Sequence, residues 1–342
     1  MNRREVVLGP LALGAAALPL QVLAQARNGG KPYRIALLPD LTAVGLPVAL
    51  KVFTDTLSEA GRVEGRDFTF IHNGIRFGSD PGTAIERMAK SVVDEMPDVI
   101  LAGNTRHIVA VHRLTRSIPI VMWEGGFPVE AGLADSLARP GRNVTGISGY
   151  AGTGVLGKYL QLLSESKPGI KRIGVLWVHV PPGYLREEIE PQQAEIRNAA
   201  RQLGLDVRIL EMASAEQVDA GLAAVSAERI EALVIQFGAL MGSQGKKVMD
   251  LVIQKRLPTL TDYRWGPTFD LQPLLAYGPL VRDLMRQAAG YVDRMLWGGA
   301  KAGDLPIQQP TRIELMVNLR MAKMIGLTIP QSLLLRADEV MQ

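Results

Sequence analysis

The sequence predicts an α/β protein with two Rossmann-like lobes, each built on a doubly wound parallel sheet, joined by a hinge of several chain crossings. Short, continuous apolar runs alternate with amphipathic helical stretches from Arg34 onward. The same alternation restarts after Gly146, and further elements follow the second unit. Fully apolar strands separated by helices are typical of parallel sheets that are covered on both faces.

The first unit follows this alternation closely. Its first helix places Leu50, Phe53 and Leu57 on one face and ends at Gly61. Further helices are expected near 82–96 and 106–116. Strands are predicted at RIALLP (34–39), FTFIH (68–72), DVILAG (98–103) and IPIVMW (118–123).

The second unit begins with a helix whose apolar stripe includes Leu156, Tyr159 and Leu163. A strong amphipathic helix later runs from Val281 to Met295, and a short one ends at Gly326. Other helices are predicted near 187–203, 215–229 and 244–256, and strands at 172–178, 206–212, 232–237, 258–263, 274–278 and 312–318.

The two units are not separated by a linker rich in Pro, Gly or Ser, which favours several crossings over a single tether. We expect crossings near Asn143–Ser148, Leu271–Leu275 and Pro306–Thr311. Parallel crossings form a hinge that permits closure, and ligands of open α/β sheets bind beyond the carboxyl ends of the strands. The predicted site therefore lies between the lobes, which are expected to comprise 33–145 with 275–308 and 146–274 with 309–342.

The first 26 residues are typical of a secretory signal peptide. Arg3-Arg4 precedes an apolar run from Val6 to Leu23, and Ala24-Gln25-Ala26 provides a small-residue cleavage site. The paired arginines favour twin-arginine (Tat) export, with the Sec route left open. Because the chain has no cysteine, we expect no lipid anchor after cleavage. A freely diffusing periplasmic protein, monomeric in solution, is predicted.

Composition and motifs exclude several functional classes. The net charge of +4 is mild, and the basic residues form no stripe with aromatics, so nucleic-acid binding is not expected. The segment GTGVLGK (152–158) matches G-x-G-x-x-G and most of a phosphate-binding loop, but Tyr159 replaces the required Ser or Thr. The next strand ends in Trp177-Val178, without the acid of a dinucleotide site. We predict a tight turn into a helix here, with no cofactor, no metal and no catalytic set.

The positions of the aromatic residues indicate a small-ligand cleft, because they cluster at the ends of predicted strands although only 5% of the chain is aromatic. Flat apolar surfaces with a few directional polar groups suit such a cleft. A carboxylate of Glu124 or Asp262 would accept an ammonium group, and Arg264 or loop amides would bind a carboxylate. The predicted ligand-binding residues are Asp40, Thr42, Asn104, Thr105, Trp123, Glu124, Phe127, Trp177, Gln236, Phe237, Asp262, Tyr263, Arg264 and Tyr277.

Four segments also carry a family resemblance. They are SIPIVM (117–122), LARPGRNVTG (137–146), AYGPLVRDLMRQAAGYVDRML (276–296) and the long C-terminal block 305–340. With these the chain resembles the ABC-transporter substrate-binding proteins of the tryptophan- and tyrosine-type group. The resemblance implies the type I periplasmic-binding fold, ligand capture by closure, and delivery to a membrane permease driven by an ATPase.

The resemblance also implies ligand-facing loops. Members commonly have Asp-Pro where this chain has Phe127-Pro128, and small polar residues where Trp177–Pro182 stand, so a less polar ligand than a simple amino acid is expected. Aromatic amino acids and aromatic acids are the candidates. The implied loops are Pro39–Thr42, Gly103–Thr105, Trp123–Pro128, Trp177–Pro182, Gln236–Ala239, Asp262–Arg264 and Tyr277.

Two alternatives to import remain open at the level of sequence. An exported cofactor-dependent oxidoreductase would use Gly152–Gly157, and an exported hydrolase would need a catalytic set that the sequence does not display. A ligand sensor for a membrane receptor would use the same lobe closure as an importer's binding protein.

Overall fold

The computed structural model describes residues 29–38, 45–71, 81–150, 152, 154–178, 186–212, 214–236, 239–262 and 272–342. Their strands form two sheets, one of five and one of seven strands, in which neighbouring strands are parallel except for one antiparallel pair in the second sheet. The fold prediction is confirmed: the chain is an α/β protein with two sheets in which parallel pairing dominates.

The first sheet has the strand order β2-β1-β3-β4-β5. Residues of one strand alternate between its two faces, so Ile35 packs beneath one pair of helices and Ala36 beneath the other. The strands are β1 (Tyr33–Leu38), β2 (Phe68–Ile71), β3 (Val99–Ala102), β4 (Ile120–Met122) and β5 (Val144–Gly146), and the helices between them are α1 (Gly45–Glu59), α2 (Pro81–Asp94) and α3 (Thr105–Leu114).

The second sheet has the order β12-β11-β10-β9-β8-β6-β7, with β10 and β11 antiparallel. The buried apolar residues of this lobe form one continuous core cluster. Its strands are β6 (Arg172–Val178), β7 (Asp206–Met212), β8 (Ala232–Ile235), β9 (Thr259–Thr261), β10 (Leu275–Gly278), β11 (Glu314–Asn318) and β12 (Glu339–Met341). The helices after β5 are α4 (Val155–Ser166), α5 (Arg186–Leu203), α6 (Ala215–Ala227), α7 (Ala239–Lys255), α8 (Val281–Leu296), α9 (Leu319–Ile325) and α10 (Gln331–Leu334).

The chain passes between the sheets three times, between β5 and α4, between β10 and α8, and between α8 and β11. Helix α8 returns to the first lobe, where Tyr291 and Val292 pack in the same cluster as Phe53 of α1. The first and third crossings run side by side: Gln308 N donates to Gly146 O at 2.9 Å, and Ser148 N donates to Gln308 O at 2.8 Å. Several crossings were expected, and two lie where the sequence places them.

The second crossing differs from the sequence prediction. We expected it near 271–275, with residues 275–308 in the first lobe. Instead β10 pairs with β9 in the second sheet, with Leu275 opposite Leu260, so the chain leaves this sheet only after Gly278. The run LLAYG is apolar enough to be buried in either sheet, and the sequence holds no signal that chooses between them.

Candidate functional site

The carboxyl ends of β3, β4 and β5 lie side by side at one edge of the first sheet, because these strands are parallel neighbours. Asn104 and Thr105 follow β3, and the segment 123–128, here called the β4 loop, follows β4. The first crossing leaves β5 at the same edge. This edge is where ligands bind in open α/β sheets.

Thr105 holds the β4 loop in place. Its Oγ1 accepts a hydrogen bond from Gly126 N at 2.9 Å and donates one to Gly126 O at 3.1 Å. Asn104 is the N-cap of α3, where its Oδ1 accepts from His107 N at 3.1 Å. The structure therefore brings these two predicted site residues to the expected edge, with side chains that organise backbone there.

The β4 loop has an unusual backbone. Phe127 has φ +47°, a left-handed conformation that is rare for a bulky side chain. Gly125 packs so closely on α3 that an added Cβ would lie 2.6 Å from Ile108 Cδ1 and 3.3 Å from Thr105 N. Strained backbone of this kind is concentrated at functional sites. The structure thus places Phe127 and Glu124 on a tightly held loop at the sheet edge where open α/β proteins bind ligands.

Tyr150, on the first crossing, joins this loop to the second lobe. Its ring stacks on Phe127, with ring centroids 4.3 Å apart and an interplanar angle of 33°. Its hydroxyl donates to Glu195 Oε2 of α5 at 2.9 Å. Burial, together with the Glu195 carboxylate, raises the pKa of the Tyr150 phenol above its usual value. The phenol is therefore a permanent hydrogen-bond donor at physiological pH.

The second carboxylate oxygen of Glu195 binds backbone amides of the glycine loop 152–157. Glu195 Oε1 accepts from Gly154 N at 2.7 Å and from Leu156 N at 3.1 Å, at the N-terminus of α4. A helix N-terminus favours an anion, and here the protein supplies its own. Gly157 allows close packing on α5, since an added Cβ would lie 3.0 Å from Ala199 Cβ. The predicted structural turn accounts for this motif, and two amides that a phosphate could use, those of Gly154 and Leu156, are occupied by Glu195.

Three predicted residues of the second lobe lie where β8, β9 and β10 end. Gln236 and Asp262 directly follow β8 and β9, and Tyr277 is in β10. The Tyr277 ring meets the ring of Tyr159 edge-on, with centroids 6.3 Å apart. Burial raises the pKa of the Tyr159 phenol well above its usual value, and the Asp262 carboxylate adds to the rise. These residues, all partly exposed except Tyr159, give the second lobe an aromatic and acidic edge.

Trp123 and Trp177 occupy different surroundings from those expected. Trp123 is 2% exposed and belongs to the core cluster beneath α1 and α8, and Trp177 is 3% exposed in the core of the second lobe. Both indole rings thus pack inside their own lobes, which differs from the expectation that they line an open cleft. A large apolar side chain at a strand end can face either the core or the gap, and the sequence pattern does not distinguish the two. Ligand contact with either ring stays a prediction.

Some predictions fall on parts of the chain outside the described residues. These are the signal peptide at 1–26 and five of the predicted ligand-binding residues, Asp40, Thr42, Phe237, Tyr263 and Arg264. Among the residues that the structure does describe, no helix is long and apolar enough to cross a membrane, and no cluster of His, Cys, Asp and Glu side chains could hold a metal ion.

Sequence reasoning missed Tyr150, Tyr159 and Glu195. The sequence pattern predicts Tyr159 only as part of a helical stripe, and Tyr150 precedes a glycine motif whose pattern indicates phosphate binding. Glu195 lies 45 residues after Tyr150, on a helix with many charged residues. The pairing of Glu195 with the start of α4 depends on how α4 and α5 pack, which no local pattern reveals.

Comparison with known proteins identifies the family. The sequence pattern of the ABC transporter substrate binding proteins matches residues 45–341. The chain belongs to this family. Its members are solute-binding proteins that work with ABC transporters, and those of importers are typically extracytoplasmic. A tyrosine-binding protein from Clostridioides difficile is 24% identical over 275 residues, which cover 80% of this chain and 75% of that protein.

Solved structures of similar proteins share the fold. A conserved domain protein from Vibrio cholerae superposes with a TM-score of 0.78 at 23% identity, covering 91% of this chain and 100% of that one. An ABC domain from Streptococcus pneumonia in complex with L-Trp gives a TM-score of 0.77 at 21% identity, with the same coverage. These neighbours are type I periplasmic binding proteins, which confirms the predicted fold. The substrate-binding function is likewise confirmed, and nothing favours the oxidoreductase, hydrolase or sensor alternatives.

Proposed function

We propose that this substrate-binding protein captures an aromatic amino acid between its lobes and delivers it to an ABC permease driven by its ATPase, with an aromatic acid as the second candidate. The observation that carries the proposal is the Phe127–Tyr150 stack at the ligand-binding edge, 4.3 Å between ring centroids, on a loop with left-handed backbone at Phe127. These two rings, one on the β4 loop and one on the first crossing, offer an aromatic surface to a flat ligand. The names of the tyrosine-binding relative and of the L-Trp complex support this ligand class.

The polar groups around this surface suit an amino acid. Asp262 or Glu124 would accept the ligand ammonium group, and Arg264 or loop amides would bind its carboxylate. The second lobe adds Tyr277 beside Asp262. The full proposed ligand-binding set remains Asp40, Thr42, Asn104, Thr105, Trp123, Glu124, Phe127, Trp177, Gln236, Phe237, Asp262, Tyr263, Arg264 and Tyr277.

A thermal-shift screen followed by calorimetry tests the ligand class. We expect L-tryptophan or L-tyrosine to raise the melting temperature, because a ligand at 100 times its Kd adds about 2.7 kcal/mol to the free energy of unfolding. Benzoate and indole-3-acetate test the aromatic-acid candidate, and L-leucine is the control of similar polarity without a ring. Binding of L-leucine as tight as that of the aromatic compounds, or no binding of any aromatic compound, would contradict the proposal.

The same experiment tests whether the protein acts on its ligand. We propose that it does not, because a binding protein must release its ligand unchanged to the permease. Mass spectrometry of the ligand recovered after prolonged incubation should show the starting compound alone. A converted product would instead indicate an enzyme.

We further propose export to the periplasm by the Tat route, cleavage after Ala26, and a monomeric mature protein. The Arg3-Arg4 pair, the apolar run and the Ala24-Gln25-Ala26 site support this proposal. Mass spectrometry of the protein from the periplasmic fraction should give a mature chain that begins at Arg27, and R3K/R4K should retain it in the cytoplasm. Unchanged export of R3K/R4K would assign the Sec route. Light scattering of the mature protein should give the mass of a single chain, and a larger mass would contradict the proposed monomer.

A further inference from the structure

We propose that Tyr150 and Glu195 form a positioning pair, whose mutual hydrogen bond sets the equilibrium between lobe arrangements and thereby ligand affinity, in addition to the surface that the Tyr150 ring offers the ligand. The pair lies where the first crossing enters the second lobe. It goes beyond the proposed function, since it concerns how the lobes are held whichever ligand they bind.

Neighbouring residues of this crossing are fixed to different lobes. Gly149 N donates to Glu124 O at 3.2 Å and to Gly125 O at 3.0 Å, so Gly149 is bound to the β4 loop of the first lobe. Tyr150 is bound through its hydroxyl to Glu195 in the second lobe at 2.9 Å. A rotation between the lobes must therefore be accommodated at or directly after these two residues.

Glu195 connects α5 with the start of α4 and with the first crossing. One carboxylate oxygen accepts from Gly154 N and Leu156 N at the start of α4, and the other accepts from the Tyr150 phenol. Gly154 has no side chain with which to cap α4. The carboxylate thus caps the helix and fixes the crossing at once, and charge-assisted hydrogen bonds of this kind are stronger than neutral ones.

Tyr150 connects this capped helix to the β4 loop. Its ring stacks on Phe127, and Thr105 holds the adjacent Gly126 through two hydrogen bonds. A continuous series of contacts therefore runs from α5 through Tyr150 to the loop at the ligand-binding edge. Because apparent affinity falls with the fraction of molecules in the binding-competent arrangement, loosening this series should weaken binding.

The variants Y150F, E195Q and the double variant test the pair, with E231Q as the matched control. Glu231 also accepts two backbone amides through one carboxylate, from Lys171 at 2.7 Å and Arg172 at 2.8 Å, but it touches no crossing. We expect Y150F and E195Q each to raise the Kd of L-tryptophan or L-tyrosine at least fivefold, and the double variant to add little to either. E231Q should change the melting temperature about as much as Y150F and E195Q do, but leave the Kd within twofold of the wild-type value.

Small-angle scattering of the unliganded proteins provides a readout that does not depend on the ligand. We expect Y150F and E195Q to have a larger radius of gyration than the wild type, and E231Q to match the wild type. If no aromatic compound binds but scattering differs as expected, the proposed ligand fails and the positioning pair stands. Scattering curves identical to the wild type, strictly additive effects on Kd, or equal effects in E231Q would overturn the pair.

Discussion

The glycine loop 152–157 and the β4 loop 123–128 teach opposite lessons about sequence motifs. The first matches a known phosphate-binding pattern, yet the amides of Gly154 and Leu156 donate to Glu195. A Cβ added to Gly154 would meet no atom within 4 Å, so the loop is not tightly packed there. The second matches no motif, yet its backbone is strained at Phe127 and packed tightly at Gly125. The contacts of a loop say more about its role than a motif does, and we propose the loop without a motif as the one that binds the ligand.

The largest expected effect concerns Gly146, the last residue of β5, which lies opposite Met122 of β4 just before the β4 loop. Gly146 has φ +120°, and an added Cβ would lie 2.1 Å from Met122 O and 2.8 Å from Met122 N. Both contacts are with backbone, so neither can move away by a change of rotamer. We expect G146A to lower the free energy of unfolding by at least about 3 kcal/mol, measured by urea denaturation. A loss below about 1 kcal/mol would show that β4 and β5 adjust easily.

A matched pair of alanine substitutions sharpens the comparison of the two loops. G125A introduces a contact 2.6 Å from Ile108 Cδ1 beside Thr105, whereas G154A meets nothing within 4 Å and is strained only by φ +95°. We expect G125A to cost about 1–3 kcal/mol and to weaken ligand binding as the β4 loop shifts. G154A should cost about 1 kcal/mol and leave the Kd within twofold. If G154A weakened ligand binding more than G125A did, the glycine loop and not the β4 loop would be the ligand-binding site.

The smallest expected effect is a pH dependence that arises near the C-terminal end of α3, at the opposite end of this helix from the β4 loop. The buried His112 bonds Asn143 Oδ1 through Nδ1 at 2.8 Å, and burial lowers its pKa below the usual 6.5. The unfolded chain therefore takes up the proton first as pH falls, so the stability that is present above about pH 6.5 decreases below it. We expect a loss of at most about 1.4 kcal/mol per pH unit between pH 6.5 and the lowered pKa. Glutamine carries no titrating group, so the free energy of unfolding of H112Q, measured by urea denaturation, should fall less below pH 6.5 than that of the wild type.

The sequence predicted most of the fold because strands such as β3 and β8 are continuous apolar runs bounded by turn residues. It did not predict β5, whose three residues Val144–Gly146 are too few for a pattern and pair only because β4 lies beside them. It also did not predict β12, whose residues are largely exposed. Short edge elements depend on tertiary pairing more than on their own composition.

The sequence predicts which loops lie at the candidate site, but it does not predict which way their side chains face. Strand ends identify the loops, since parallel strands share one edge, and Thr105, Glu124 and Phe127 lie there as expected. Whether Trp123 faces the core depends on α1 and α8, which pack against it from distant parts of the sequence. The Tyr150–Glu195 bond depends likewise on the packing of α5 beside the first crossing.

Amide hydrogen exchange with and without saturating L-tryptophan tests the central claim most directly. The claim is that an aromatic ligand binds at the β4 loop, between the lobes, and not at the glycine loop. We predict slower exchange on binding in peptides that cover 123–128 and 103–105, and unchanged exchange at Gly154 and Leu156, whose amides already bond Glu195. Protection concentrated in 152–157, with the β4 loop unchanged, would contradict the account.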